Sequence, residues 1–105
     1  MNRFDVFTIN LDSTKGSEIK KTRPCVIISP DEMNRCLKTV IIAPMTTSKK
    51  NYASRVNIKF QSKNNQVVLD QIRTVDKGRL LKRIGKISTA DAREISSLLI
   101  EMFTY

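Results

Sequence analysis

Apolar positions along the chain fall into short runs and alternations, a pattern that predicts a series of short strands closed by one helix. Phe4 to Leu11 mixes apolar and polar residues with β-prone side chains and predicts a first strand. Cys25 to Ile28 is wholly apolar, rich in β-branched residues and set between Pro24 and Pro30, so it predicts a buried second strand. Pro24 has no N–H and suits the first position of such a strand, which would put Arg23 at its mouth. Thr39 to Ala43 predicts a third strand ended by Pro44. Arg55 to Phe60 alternates strictly, with Val56, Ile58 and Phe60 on one face. Gln61 to Asn65 has turn composition, and Gln66 to Val75 reads as one or two strands with a bulge near Asp70-Gln71. Asp76 to Leu81 suggests a helical turn, and Arg83 to Ile87 a last short strand.

Two helices are expected. Ser29-Pro30-Asp31-Glu32 reads as a start, with Ser29 as the cap, Pro30 in the first helical position and Glu32 completing a capping box. Ser88 caps the second, in which Ala92, Ile95, Leu99, Met102 and Phe103 recur at helical spacing. Phe4, Phe7, Phe60 and Phe103 fall at positions expected to be core. Between the first two strands lies a polar loop, Asp12 to Lys21, carrying Gly16 and the lysines Lys15, Lys20 and Lys21. Lys49-Lys50 forms a second basic loop. The expectation is a mainly β fold with α additions: a small β-barrel ending in an amphipathic helix.

A length of 105 residues, with 40% apolar and 28% charged residues, is that of one globular domain, 1–105. No apolar run approaches the ~20 residues needed to cross a bilayer, so a cytoplasmic protein without membrane association is expected. Cys25 reads as a small buried hydrophobe, and two cysteines with no histidine make a metal site improbable. Nineteen Lys and Arg against ten Asp and Glu give a net charge of +9, which favours a polyanionic partner, nucleic acid first.

Without histidine there is no Ser-His-Asp triad and no paired-histidine nuclease site. No P-loop or dinucleotide fingerprint occurs, and no cofactor is expected. The remaining chemistry lies in polar residues at strand ends: Arg23, Thr46, Thr47, Ser48, Asp70, Gln71, Arg73 and Thr74. Each has a structural reading as a cap or turn residue, and Asp70 could pair with Arg73.

Arg23-Pro24 before one apolar strand, Pro44-Met45-Thr46-Thr47 after the next, and the run from Asp70 to Asp76 together resemble the MazF/PemK/Kid toxin endoribonucleases over nearly the whole chain. The resemblance implies an SH3-like barrel of the PemK/CcdB-like kind, a homodimer, and metal-independent cleavage of single-stranded mRNA at short sequences. It also implies a cognate antitoxin whose acidic segment covers the RNA groove. Arg23 and Thr46 match the family's catalytic arginine and threonine, and Asp70 matches an acid near bound RNA. Where some members carry an arginine two residues before that acid, this chain has Val68, and it lacks the first-loop histidine of others.

Cleavage would proceed by attack of the 2′-OH on the adjacent phosphorus, leaving a 2′,3′-cyclic phosphate and a 5′-OH. Arg23 offers a bidentate, permanently charged fork for the phosphorane oxygens. Thr46 can hold an oxygen or the attacking hydroxyl. Asp70 is the one acid of the three motifs expected at a strand end and is the candidate base, while the proton donor to the leaving group stays open. Lys15, Lys20, Lys21, Lys49 and Lys50 would track the phosphates. Thr47, Ser48, Gln71 and Arg73 would add polar contacts to RNA. A CcdB-like gyrase inhibitor is the rival reading, weakened by the absence of tryptophan. A plain single-strand-binding module is the third, with Tyr52 the one loop aromatic free to stack.

Overall fold

The computed structural model describes residues 1–11 and 22–105. The loop carrying Lys15, Lys20 and Lys21 lies outside them. The described residues form seven strands: β1 (Asp5–Asn10), β2 (Thr22–Ile27), β3 (Thr39–Thr46), β4 (Arg55–Phe60), β5 (Lys63–Val68), β6 (Arg73–Asp76) and β7 (Leu80–Lys86). Two helices accompany them, α1 (Asp31–Cys36) and α2 (Thr89–Phe103). The strands make one curled antiparallel sheet in the order β4-β5-β3-β2-β1-β7, with β6 also on β3. This is the mainly β, half-barrel architecture with a C-terminal helix that the pattern predicts.

β3 is the hub. One edge pairs with β2 from Ile42 to Pro44; the other pairs with β6 through Ile42 and with β5 at Met45 and Thr46. The strand therefore runs through Pro44 instead of stopping there. Pro44 lies in the gap where that edge passes from β6 to β5, where a residue without an N–H is tolerated. β2 also differs from expectation. It begins at Thr22, and Arg23 and Pro24 are already paired with Ile9 and Thr8 of β1. Arg23 is thus inside a strand and not at its mouth, fixed from one side only.

Alternation along the strands separates two cores. Val26, Ala43, Met45, Val56, Ile58 and Val67 pack on one face, under Ala92 and Ile95 of α2. Cys25, Ile27, Val40, Ile42 and Val75 pack on the other with Ile9. Burial of these branched side chains stabilises the sheet by roughly 1.5–3 kcal/mol each before entropy is counted.

β4 has the predicted bounds, but its connection to β5 is far tighter than the composition suggests. Phe60 pairs with Lys63, leaving a two-residue turn at Gln61-Ser62 with φ of 51° and 65°. Both values are left-handed, the geometry of a type I′ hairpin, adopted here without glycine. The Gln61 amide donates to the Ile84 carbonyl at 2.8 Å and ties the hairpin tip to β7. Phe60 lies against Gly85 of β7, so closely that a Cβ at Gly85 would stand 2.8 Å from the ring. The ends of the sheet meet there by packing instead of by a ladder.

At α2 the Ser88 hydroxyl accepts from the Asp91 amide at 3.2 Å, as the sequence indicates. Phe103, expected in the core, is exposed, because the helix has passed the sheet by its last turn. At α1 the capping box does not form. Pro30 occupies the N-cap position, and no side chain caps the helix. Ser29 is buried, donates to Asn34 Oδ1 at 2.5 Å and accepts from the Ile41 amide at 3.0 Å. It fastens the helix to β3 instead.

Candidate active site

The ladders on both sides of β3 run out near Thr46. With β2 the last pair is Cys25 and Pro44, and continuing that register would set Arg23 opposite Thr46. With β5 the last pair is Thr46 and Gln66, and continuing it would set Thr47 opposite Asn65. Beyond these points the strands diverge and leave a cleft of about 380 Å³, lined by Thr22, Arg23, Pro24, Met45, Thr46, Thr47 and Asn65. Residues opposite one another in an antiparallel register share a face. Arg23 and Thr46 therefore belong to the same face of the sheet, each held by a ladder on one side: Arg23 by Ile9 of β1 and Thr46 by Gln66 of β5.

Arg23 is exposed and, among the described residues, in no ion pair. Its neighbour on the same face, Cys25, is buried, and burial pushes that thiol up to about 12 although Arg73 and Arg23 both pull it down. Cys25 is thus neutral near pH 7, and two guanidinium groups stand close enough to act on it. Thr46 is half-buried. Its Oγ1 accepts from the Ser48 amide at 3.1 Å, the local turn bond open to any threonine after a strand. That bond uses one lone pair and orients the hydroxyl, leaving the O–H to donate towards the cleft.

Asp70 is not part of this cleft. It lies on a single 3₁₀ turn, Leu69–Gln71, past the far end of β5 from Asn65. Its Oδ1 accepts from Ser54 Oγ at 2.9 Å and faces Arg55 Nε at 3.5 Å. The guanidinium of Arg55, almost wholly buried, also lies 5.0 Å from the Tyr52 ring centroid. Asp70 is therefore the counter-charge of Arg55, and the anticipated pairing with Arg73 does not occur. Within one chain, the structure brings Arg23 and Thr46 together at the cleft and does not place Asp70 among the residues that line it. Tyr52, the candidate stacking residue, covers Arg55.

The other expected contacts are distributed. Thr47 lines the cleft, while Ser48 turns its amide onto Thr46. Lys49 and Lys50 are exposed in the loop after β3. Gln71 is exposed on the 3₁₀ turn, and Arg73 is exposed on β6 opposite Ile42. One residue that sequence reading passed over holds this region together. Gln66 is buried, donates to the Lys50 carbonyl and to Asn57 Oδ1, each at 2.8 Å, and accepts from the Lys50 amide at 3.0 Å. A polar residue at a buried strand position was the available signal. Among the described residues, no three His, Cys, Asp or Glu side chains gather in a way that could hold a metal ion. Among the described residues, no helix is long and apolar enough to cross a membrane.

A family model for PemK-like, MazF-like toxins of type II toxin–antitoxin systems matches residues 2–103. The chain is 33% identical to the endoribonuclease MazF of Staphylococcus saprophyticus, over 94% of this chain and 88% of that one. A mycobacterial endoribonuclease in complex with its cognate antitoxin superposes with a TM-score of 0.83 at 21% identity, covering 100% of this chain and 98% of the other. MazF from the MazE-MazF complex of Deinococcus radiodurans gives 0.82 at 20% identity, covering 97% and 94%. The chain belongs to the PemK-like, MazF-like toxin family of type II toxin–antitoxin systems. Membership favours the nuclease reading over gyrase inhibition.

Proposed function

We propose that this chain is an endoribonuclease toxin that cuts single-stranded RNA at short sequences, acting in the cytoplasm without a metal ion. The observation that carries the reading is the placement of Arg23 and Thr46 on one face of one cleft. A phosphodiester entering there meets a permanent cation able to bridge two non-bridging oxygens. It also meets a hydroxyl already oriented by the Ser48 amide. The 2′-oxygen attacks phosphorus, the bond to the 5′-oxygen breaks, and the extra negative charge of the phosphorane falls where Arg23 and Thr46 donate. Fixed donors of this kind, aimed at charge that develops in the transition state, supply the largest share of such catalysis.

The 2′-OH proton and the proton taken up by the leaving 5′-oxygen have no assigned side chain in this scheme. Asp70 takes a positioning role, holding Arg55 and the loop before β4. Lys49, Lys50 and Arg73 would draw RNA to this face. Family membership supports a cognate antitoxin with an acidic segment as the neutralising partner, and a homodimer as the working form.

The test is purified protein with a long single-stranded RNA in EDTA, cleavage sites mapped by primer extension and end groups analysed, beside Arg23→Ala. The expected outcome is discrete cuts with cyclic phosphate and 5′-OH ends, slowed about 100-fold or more in Arg23→Ala. Cleavage that survives intact in Arg23→Ala would overturn the assignment. No cleavage by the folded wild-type chain would remove the nuclease reading itself.

A further inference from the structure

Next to the Arg23–Thr46 cleft, and sharing Thr47 and Asn65 with it, is a second cavity of about 420 Å³. It opens where β5 extends past the end of β3. Gln66 is the last β5 residue paired with Thr46, so Asn64 and Asn65 are laddered to β4 alone, through Lys59 and Ile58. The walls mix polar and apolar surface: Thr47 and Lys49 from the loop after β3, Asn57, Ile58 and Lys59 from β4, and Asp91 from the first turn of α2 are among them. No aromatic ring lines it.

The sheet register relates this cavity to the cleft. Thr46 is opposite Gln66, and Gln66 is opposite Asn57. Together with the extended register of Arg23 and Thr46, one cross-strand row reads Arg23, Thr46, Gln66, Asn57. Neighbouring strands are ~4.8 Å apart, so Asn57 is roughly 10 Å from Thr46 along that row. That is the reach of a nucleotide flanking the phosphate held at Thr46.

The polar groups in the cavity are fixed. Gln66 has both amide hydrogens and its oxygen committed, to the Lys50 carbonyl, the Asn57 carbonyl oxygen and the Lys50 amide. Because Asn57 Oδ1 accepts from Gln66, its Nδ2 is turned away, and among the described residues that NH₂ makes no hydrogen bond. Asn65 Nδ2 donates locally to the Lys63 carbonyl at 3.3 Å, which leaves its oxygen to accept. Asn57, on the same face as Thr46 and Gln66, thus offers a fixed donor that suits the hydrogen-bonding edge of an unstacked base. Asp91 repels any anion at the same place, so an RNA backbone is held at Lys49 and Lys59 while the neutral base lies beside Asn57.

We propose that the cavity between β5, the loop after β3 and the start of α2 receives one unstacked RNA base beside the scissile phosphate, and that Asn57 helps decide which base is accepted. The inference rests on the nuclease reading given above. Lys49 and Lys59 hold the flanking backbone, and the amide of Asn57 reads the base edge. Selection here works by hydrogen bonding without a stacking platform.

The experiment compares wild type, Asn57→Asp and Asn57→Thr on a randomised single-stranded RNA pool, with every cleavage site sequenced. Asn57→Asp keeps an oxygen for Gln66 and turns the free donor into an acceptor; Asn57→Thr suits the strand and removes the amide. Thermal melts confirm that each variant folds. The expected result is a change in base preference at one position of the cleaved sequence, by about fivefold or more in relative rate. An unchanged preference in both folded variants would overturn the inference, whether rates stay level or fall evenly at all sites. An even fall is charge repulsion alone, and an unmoved profile is also what a pocket reserved for a protein partner would give. A wild-type chain that cuts no RNA is a different failure, of the nuclease reading first and of this inference with it.

Discussion

Replacing Gln66 by methionine isolates the residue that fastens the basic loop to the sheet. Its side chain is buried and makes three hydrogen bonds, two to the Lys50 backbone and one to Asn57. Methionine keeps the length and volume and removes all three. A hydrogen bond contributes about 1 kcal/mol net, and a buried partner left unmatched costs about 1–3 kcal/mol. Lys50 and Asn57 are exposed and can turn to water, so the lower end applies. The expected loss is about 2 kcal/mol, a fall in Tm of roughly 10 °C for a domain this size. Urea unfolding at fixed protein concentration measures it, with an unchanged m-value showing that the fold is retained. The loop should loosen before the sheet does, so amide exchange at Lys50 should accelerate more than at Val67, which is paired within the ladder. A Gln66→Met protein within about 0.5 kcal/mol of wild type, with Lys50 still protected, would refute the claim that this side chain anchors the loop.

Three further outcomes follow from other parts of the fold. Burial of Asp5 opposes its ionisation, but the Asn2 amide at 2.8 Å and Arg83 at 3.2 Å outweigh burial and hold its carboxyl below the ordinary 3.8. Its stabilising effect is present above that ordinary value and is lost as pH falls through the lower folded-state value. Asp5→Asn should therefore cost about 1–2 kcal/mol at pH 7, and the gap to wild type should close in acid; a pH-independent gap would exclude the linkage. Cys25, buried with its thiol raised to about 12, should resist iodoacetamide at pH 8 while exposed Cys36 reacts, so mass spectrometry should find one adduct on the native chain and two after denaturation. Gly85→Ala should cost about 1 kcal/mol by crowding Phe60, and Phe60→Leu in the same chain should recover part of it; simple additivity of the two would mean that the contact is not the cause.

What the sequence discloses is what neighbouring residues determine. The strict alternation from Arg55 to Phe60 yields β4 with its observed ends, and Ser88 with Asp91 marks the start of α2. Thr46 borders an apolar run and does end β3, whereas Arg23, which the flanking residues also suggest as a strand end, lies within β2 because β1 pairs with it. The misreadings among the strands all concern pairing. Pro44 looks like a terminator, yet β3 continues through it and changes partners beside it. The polar run from Gln61 to Asn65 looks like a loop, yet pairing with β4 carries Lys63 to Asn65 into a strand and confines the turn to two left-handed residues. Asp70 pairs with Arg55 and not with Arg73, its sequence neighbour, because the hairpin folds the start of β4 beside the end of β5. Asn57 carries no local signal, and its place in a row with Thr46 exists only through two ladders.

Electrostatics at the cleft depend on the same pairings. Asp70 is the acid nearest in sequence to Arg73 on its N-terminal side, and paired with Arg73 or with Arg23 of the cleft it would cancel charge that an RNA phosphate needs. Its engagement with Arg55 removes it from that role. Cys25, the ionisable group packed beside both arginines, is kept neutral by burial. Arg23 and Arg73 consequently face the solvent, and among the described residues neither is in an ion pair, within a chain of net charge +9. Two fixed cations above a neutral apolar floor attract a phosphodiester more strongly than they would above a carboxylate, and the attraction weakens with salt. Arg55→Met keeps an unbranched chain beneath Tyr52 and leaves the Asp70 carboxylate without its cation. Cleavage should then slow, and adding Asp70→Asn to the same chain should restore it. A double variant as slow as the single one would mean that packing around Arg55, rather than charge placement, sets the rate at Arg23.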